Sequence, residues 1–304
     1  MTQPRVAPIF VVGAGRSGTT LLRLMLNEHP AISIPSESHF IAPLLQTFAP
    51  NSVLSGTNID TALSIVTSTP QWRDDFAHTP GELRAAVGTE PVTLAAFIDR
   101  VFRLEVGPDP ERWGDKTPAY LHCVRPLLEC FPDAQVIAIV RDPRDVYLSL
   151  AELGWFGSTP WEIGRYIARN GALVERWRRQ YAPSRYTVVR YEDVVLDTEN
   201  TLRSVCSFLR VPYDESMDAF FEHATSNVPS RELQQQHTKL LRAPRAEDVG
   251  RWRRESRLID RAQVEALTNE MVIRHGYERR VSAPMVPVWR TIARVQGRVA
   301  RRRN

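Results

Sequence analysis

Gly13-Ala14-Gly15-Arg16-Ser17-Gly18-Thr19-Thr20 is the stretch on which the fold turns. It follows an apolar run, Ile9-Phe10-Val11-Val12, that reads as a buried strand. After it, Leu21, Leu22, Met25 and Leu26 form the stripe of a helix that stops before Pro30. A strand, a glycine turn and a helix together make an anion site. The first N–H groups of a helix have no partner within it, and the dipole favours negative charge there. A turn that merely lets helix meet strand would need the glycines but not the arginine, the serine and the two threonines. Three functional readings compete. Gly13, Gly15 and Gly18 satisfy the G-x-G-x-x-G of an NAD(P)-binding Rossmann turn, and Glu37 lies where its ribose-binding acid belongs. A P-loop nucleotide site is the second, but it needs lysine after the last glycine, where Thr19 stands. No apolar strand ends in a Mg²⁺-binding aspartate either, since Arg141 follows Val140. The third reading depends on motifs further along.

Working outward, residues 31–35 read as a short second strand and residues 37–110 as mostly helical, with turns near Pro50, Pro70, Pro80 and Pro91. Leu121 to Phe131 reads as a helix. Val136 to Val140 is a continuous apolar run, the mark of a central parallel strand covered on both faces. Asp142-Pro143-Arg144-Asp145 then starts a helix, with an acidic N-cap and proline at the first position. Trp161 to Tyr181 is a long amphipathic helix, and Tyr186 to Val189 a third central strand. Strands alternating with helices predict an α/β, P-loop-like three-layer fold: a central parallel sheet flanked by helices. Residues 1–280 read as one domain and 281–304 as a basic helical tail. Polar residues 226–254 read as a lid loop, since loops of that length are uncommon without a function.

The 304 residues carry a formal charge of +4, and only Lys116 and Lys239 of the 39 basic residues are lysines. Residues 281–304 hold six arginines and no acid, which leaves the other 280 residues at −2. That balance argues against nucleic acid as a partner, because such modules spread positive charge over one face. Cys123, Cys130 and Cys206 are too few and too scattered for a disulfide framework or a zinc site, so no metal is expected. No signal peptide or run of about 18 apolar residues is present, and a cytoplasmic protein is expected, with at most a peripheral membrane contact.

Five motifs share an order and a spacing. Arg16 lies in the glycine turn, and Glu37 follows it by 21 residues within Pro35-Ser36-Glu37-Ser38-His39. Lys116, in Asp115-Lys116-Thr117-Pro118, precedes Arg141 by 25 residues, and Ser149 follows Arg141 by eight. Tyr191 lies in Arg190-Tyr191-Glu192-Asp193, after the third central strand. Together they resemble the sulfotransferases that use 3′-phosphoadenosine 5′-phosphosulfate (PAPS), with spacing similar to the tyrosylprotein sulfotransferases and related bacterial enzymes. The resemblance implies that Arg16, Ser17, Gly18, Thr19, Thr20 and Leu21 hold the 5′-phosphosulfate. It implies that Arg141 and Ser149 grip the 3′-phosphate, a role that suits a guanidinium fork. Tyr191 would contact the adenine, although a rim aromatic fits the same sequence. Lys116 and Arg16 would be catalytic cations. Glu37 would be the general base, with His39 a rival two residues away.

The resemblance covers residues 8–49 and 113–150 well, 186–193 fairly, and the lid thinly. Gly250-Arg251-Trp252 is similar to the Lys-Trp segment ending the family's cofactor loop, with Arg251 in the lysine's position, Gln236 to Arg245 before it and Lys239 inside it. No serine lies near Gln236, and Leu153 stands where relatives place a second arginine. Residues 50–110 match nothing and read as a helical insertion on the acceptor side. The implied activity is sulfuryl transfer to a hydroxyl of a sugar, lipid, phenol, peptide tyrosine or small metabolite. Two alternatives stand beside it, a catalytically silent binding module and a membrane-surface module. The second rests on Val288, Ile292, Val295 and Val299 at helical spacing, beside Arg290, Arg294 and Arg298.

Overall fold

The computed structural model describes residues 7–76, 78–154, 156–157, 159–224 and 238–301. The first half contains β1 (Ile9–Gly13), α1 (Thr19–Asn27), β2 (Ile32–Ser33), α2 (Ile41–Thr47), β3 (Val53–Leu54), α3 (Thr57–Ser68), α4 (Pro70–Asp75), α5 (Pro80–Val87), β4 (Val92–Thr93) and α6 (Leu94–Val106). Next come β5 (Arg112–Asp115), α7 (Val124–Cys130), β6 (Gln135–Val140), α8 (Pro143–Ala151) and α9 (Pro160–Gln180). After these follow β7 (Tyr186–Arg190), α10 (Tyr191–Leu196) and α11 (Thr198–Leu209). The last helices are α12 (Trp252–Glu255), α13 (Leu258–Leu267), α14 (Asn269–Arg274) and α15 (Val286–Arg301).

Five strands form one parallel sheet in the order β2-β5-β1-β6-β7. β1 and β6 are buried along their whole length, as expected of central strands covered on both faces. Their side chains alternate between two cores, as the strand pleat requires. Phe10, Val12, Val136 and Ala138 face the core that takes in α6, α7, α8 and α9. Ile9, Val11, Ile137 and Ile139 face α1, α10 and α11 on the other side. The fold is therefore the expected three-layer α/β arrangement.

Several local expectations are corrected. Arg112-Trp113-Gly114-Asp115 is a fifth strand that its sequence hides, since it has no apolar run. Arg112 instead donates to the carbonyls of Ala7 and Leu209 at 2.8 and 2.9 Å and to Gln135 Oε1 at 2.9 Å. Trp113 stacks on Phe102 with ring centroids 4.1 Å apart. Residues 37–110 are not purely helical, because β3 and β4 pair as an antiparallel ribbon, Val53 opposite Thr93. The helix expected over 121–131 is a 3₁₀ turn, Pro118–Cys123, followed by α7. The second strand shrinks to Ile32–Ser33. Of the lid, residues 226–237, Gln236 among them, lie outside the described residues. The rest is irregular chain that carries short helical turns at Thr238–Leu241 and Ala246–Asp248 and leads into α12.

The tail forms α15, which packs against α13 and α9. Val286 and Ala293 are buried on that side, and Arg290 Nε donates to Ala266 O at 2.8 Å. Val288, Val295 and Val299 form a second, exposed apolar stripe. No helix among the described residues is long and apolar enough to cross a membrane.

Candidate active site

The glycine turn and the motifs of Glu37, Lys116, Arg141 and Tyr191 each lie after the carboxyl end of a sheet strand. β1 runs into the glycine turn, β2 leads to Glu37, β5 to Lys116, β6 to Arg141 and β7 to Tyr191. A crevice beyond those ends is where open parallel sheets bind ligands. In the turn, Gly13 lies so close to Ile139 O that a β-carbon would sit 2.7 Å from it. Gly18 has φ 102°, and a side chain there would collide with the Tyr191 ring. Ser17 Oγ donates to Ala14 O at 2.7 Å and closes the turn from within. Ser17, Thr19, Thr20 and Leu21 are buried at the start of α1, whose first-turn N–H groups lack intrahelical partners. Sequence reasoning missed Tyr166 on α9. Its hydroxyl accepts from Gly15 N at 2.8 Å and props the turn from behind.

Beside the turn the arginines converge. Arg16 has φ 67°, a left-handed conformation a β-carbon makes costly, and its Nε donates to Ser149 Oγ at 2.9 Å. Arg141 donates to Arg16 O at 3.4 Å and to Asp248 O at 3.2 Å, and its guanidinium lies 4.1 Å from the centre of the Tyr191 ring. Burial, followed by the charge of Arg141, lowers the Arg16 pKa, and Arg251 adds to the effect. Arg141 Nε is buried with no hydrogen-bond partner among the described residues. Crowded guanidinia and an orphaned buried N–H fit a polyanion such as the phosphates of PAPS. Arg251 lies near this cluster, where hydrogen bonds to Glu255 and Glu152, at 2.5 and 2.6 Å, raise its pKa. Tyr191 is a buried ring beneath Arg141, not a rim aromatic.

Asp142 and Asp145, at the start of α8, are buried. Asp142 caps α8 through Arg144 N at 3.0 Å and pairs with Arg144 Nη2 at 2.7 Å. Asp145 accepts from Gly250 N at 2.7 Å and Trp252 N at 2.8 Å, fastening the end of the lid segment to α8. Glu192 accepts from Asp142 N at 2.8 Å, so the segment after β7 fixes the segment after β6. Buried donors and acceptors need such partners, and the sequence alone does not show which they choose.

On the other side of α1, Lys116 is buried, bonds to Glu37 Oε1, and reaches Thr20 Oγ1 at 3.3 Å. His39 Nε2 lies 2.8 Å from Glu37 Oε2. Burial would push the Glu37 carboxyl up, but Lys116 and the His39 hydrogen bond outweigh it and bring the pKa down to about 2. Beneath them Ser38 Oγ bonds to Asp115 Oδ2 and lies 2.9 Å from Tyr120 Oη, while Thr117 Oγ1 donates to Asp115 Oδ1 at 2.7 Å. Burial, against these hydrogen bonds, raises Asp115 to about 6. Asp115, Ser38 and Tyr120 therefore lock the Glu37 and Lys116 segments together, although none carries a motif signal of its own. Among the described residues no group of three or more His, Cys, Asp or Glu side chains could hold a metal ion.

Comparisons with known proteins give the family and the fold. A family model described as "Sulfotransferase family" matches residues 8–215, and one described as "Sulfotransferase domain" matches residues 170–274. A protein-tyrosine sulfotransferase of Drosophila melanogaster is 23% identical over 258 residues, 80% of this chain and 46% of that protein. The omega-hydroxy-beta-dihydromenaquinone-9 sulfotransferase of Mycobacterium bovis is 27% identical over 249 residues, 66% of this chain and 62% of that protein. An uncharacterized protein of Aquifex aeolicus is 24% identical over 83% of this chain and only 31% of its own length. The chain thus spans between 31% and 62% of the length of these relatives. Among solved structures, the sulfotransferase domain of the Synechococcus PCC 7002 olefin synthase has a TM-score of 0.64 at 22% identity, covering 92% of this chain and 99% of the domain. The sulfotransferase domain of the curacin biosynthetic pathway has a TM-score of 0.59 at 20% identity, covering 90% of this chain and 99% of that domain.

Proposed function

The chain belongs to the sulfotransferase family, and from that premise we propose that it moves the sulfuryl group of PAPS to a hydroxyl acceptor in a single in-line transfer. PAPS would supply an activated sulfuryl group on a phosphosulfate anhydride. Arg16, Ser17, Gly18, Thr19, Thr20 and Leu21 would bind its 5′ end, Arg141 with Ser149 and Arg251 its phosphates, and Tyr191 its adenine. In the structure Ser149 holds Arg16, so its first task is to position that arginine.

Glu37 takes the acceptor's proton. Its low pKa guarantees that it is ionised at neutral pH, but a carboxylate near 2 is a weak base. Lys116 resolves the conflict, because the ammonium that holds Glu37 down also reaches Thr20 Oγ1 at the start of α1. As negative charge grows on the leaving oxygen, Lys116 is drawn towards it, and Glu37 recovers basicity as the proton arrives. Arg16 adds a second placed charge, and Thr19 and Thr20 orient the transferring group. Positioning and electrostatics carry the rate.

The observation that carries this reading is the chain of contacts from Glu37 through Lys116 to Thr20, which joins the base to the anion turn. A thermal-shift comparison of adenosine 3′,5′-bisphosphate (PAP), ATP and NAD tests it. Stabilisation by PAP alone is expected; stabilisation by NAD or ATP alone would restore one of the rival readings of the glycine turn.

The exposed stripe on α15 favours a second, compatible property, a peripheral contact with an anionic membrane. Isologous pairing of two copies through this helix would bring the acid-free, arginine-rich segments together, so lipid suits it better. Co-sedimentation with phosphatidylglycerol vesicles that survives V295D/V299D would contradict that contact.

A further inference from the structure

The sulfuryl-transfer reading gives no task to His39. Yet Glu37 is held at both oxygens, Oε1 by Lys116 and Oε2 by His39 Nε2 at 2.8 Å. The backbone at His39 has φ 55°, a conformation that costs a residue with a β-carbon. Arg16 and His39 are two of the three non-glycine residues with positive φ among those described, and both lie in the site. Ser38 is fully buried on Asp115 and Tyr120, so the turn is pinned from below and presents Glu37 and His39 side by side. The His39 side chain is 37% exposed, so the imidazole exchanges protons with solvent while it touches the carboxylate.

We infer that His39 is a positioning residue for Glu37: its Nε2–H fixes the carboxylate towards the acceptor, and loss of the imidazolium proton releases Glu37 from one of its two cations. His39 thereby sets the pH range in which the base works. The inference rests on the sulfuryl-transfer reading and deepens it. The charged groups that face His39 are Glu37 on its own turn, Asp115 at the end of β5 and Lys116 just after it. Burial lowers the His39 pKa, but Glu37 and Asp115 outweigh it and raise it above the ordinary 6.5. Below that pKa Glu37 lies between an ammonium and an imidazolium. Above it the imidazole still donates from Nε2, now as a neutral group, and the carboxylate is the stronger base. Turnover should therefore rise with pH through the His39 titration.

Two variants separate charge from hydrogen bond. His39→Gln can keep an N–H donor but cannot titrate. His39→Ala loses both. Turnover is followed as PAP release from PAPS with 2-naphthol as probe acceptor, from pH 5.5 to 9. His39→Gln should lose the acidic limb and stay near the wild-type plateau. His39→Ala should lose the limb and fall about 10- to 100-fold, the worth of a hydrogen bond to a charged group. PAP affinity should be unchanged in both. In parallel, histidine NMR should show His39 titrating above 6.5 in the wild type and lower in Glu37→Gln, a readout that needs no turnover. A limb that survives in His39→Gln, or a titration indifferent to Glu37→Gln, overturns the inference and leaves the transfer reading intact. Wild-type protein that binds PAP but releases none from PAPS counts against both.

Discussion

Arg141→Ala gives the sharpest separation of binding from folding. The side chain ends β6, lies against Tyr191, and has a buried Nε with no partner among the described residues. A hydrogen bond from a charged donor contributes about 1.5–3 kcal/mol, and a cation over a ring about 0.5–2 kcal/mol more where water is excluded. The phosphate contact alone converts to a loss of about 10- to 150-fold in PAP affinity, at roughly 1.4 kcal/mol per decade. The free protein should keep its fold. Asp145, 3.8 Å from Arg141, keeps its bonds to Gly250 N and Trp252 N, so the lid end stays fastened. Arg16 also loses the neighbour whose charge lowers its pKa. The unliganded Tm should fall by what about 1–3 kcal/mol implies, because Arg141 also gives up its bonds to Arg16 O and Asp248 O and its place over the Tyr191 ring. Isothermal titration with PAP at two salt concentrations gives the affinity, and the salt dependence should flatten. Arg141→Lys should recover only part of the loss, because an ammonium has no fork. Unchanged PAP affinity, or a Tm collapse that precedes any binding defect, would refute the reasoning.

Other expectations concern the frame around the site. The ionised form of Asp115 is penalised by burial, so its contribution to stability is present below its ordinary pKa of 3.8 and is lost as pH rises through about 6. Asp115→Asn should therefore be more stable than wild type at pH 8, by on the order of 1–3 kcal/mol, with the gap closing towards pH 4; a gap in Tm independent of pH would contradict this. Gly18→Ala should cost at least ~1–2 kcal/mol, since it combines a left-handed residue with a collision against Tyr191, and should weaken PAP binding as well; denaturant midpoints and titration check both.

The sequence was most readable where local chemistry and fold agreed. A strand, a turn and a helix at 9–27, and again at 135–151, announce themselves through apolar runs and caps, and both were placed closely. β5 was hidden because its four residues earn burial through carbonyl partners and a stacked tryptophan supplied from distant elements. Asp142 and Asp145 look like ordinary first-turn acids, and only the folded chain brings Arg144, Gly250 and Trp252 to them. Tyr166 was invisible for the same reason, and Asp115 was legible only as the neighbour of Lys116, since a supporting residue has no spacing rule of its own. The motif residues Arg16, Glu37, Lys116, Arg141 and Tyr191 were all legible, but not that Glu37 would be clamped from both sides.

The central claim is that Glu37 and Lys116 promote sulfuryl transfer from PAPS held at the glycine turn. It is tested most directly by incubating wild type and Glu37→Ala with [³⁵S]PAPS and a mixture of alcohol, phenol, sugar and tyrosyl-peptide acceptors. Label should enter an acceptor with the wild type, and turnover should fall about 10²–10⁴-fold in the variant while PAP affinity is kept. Transfer at the wild-type rate by Glu37→Ala, or loss of PAP binding in place of turnover, would contradict the account.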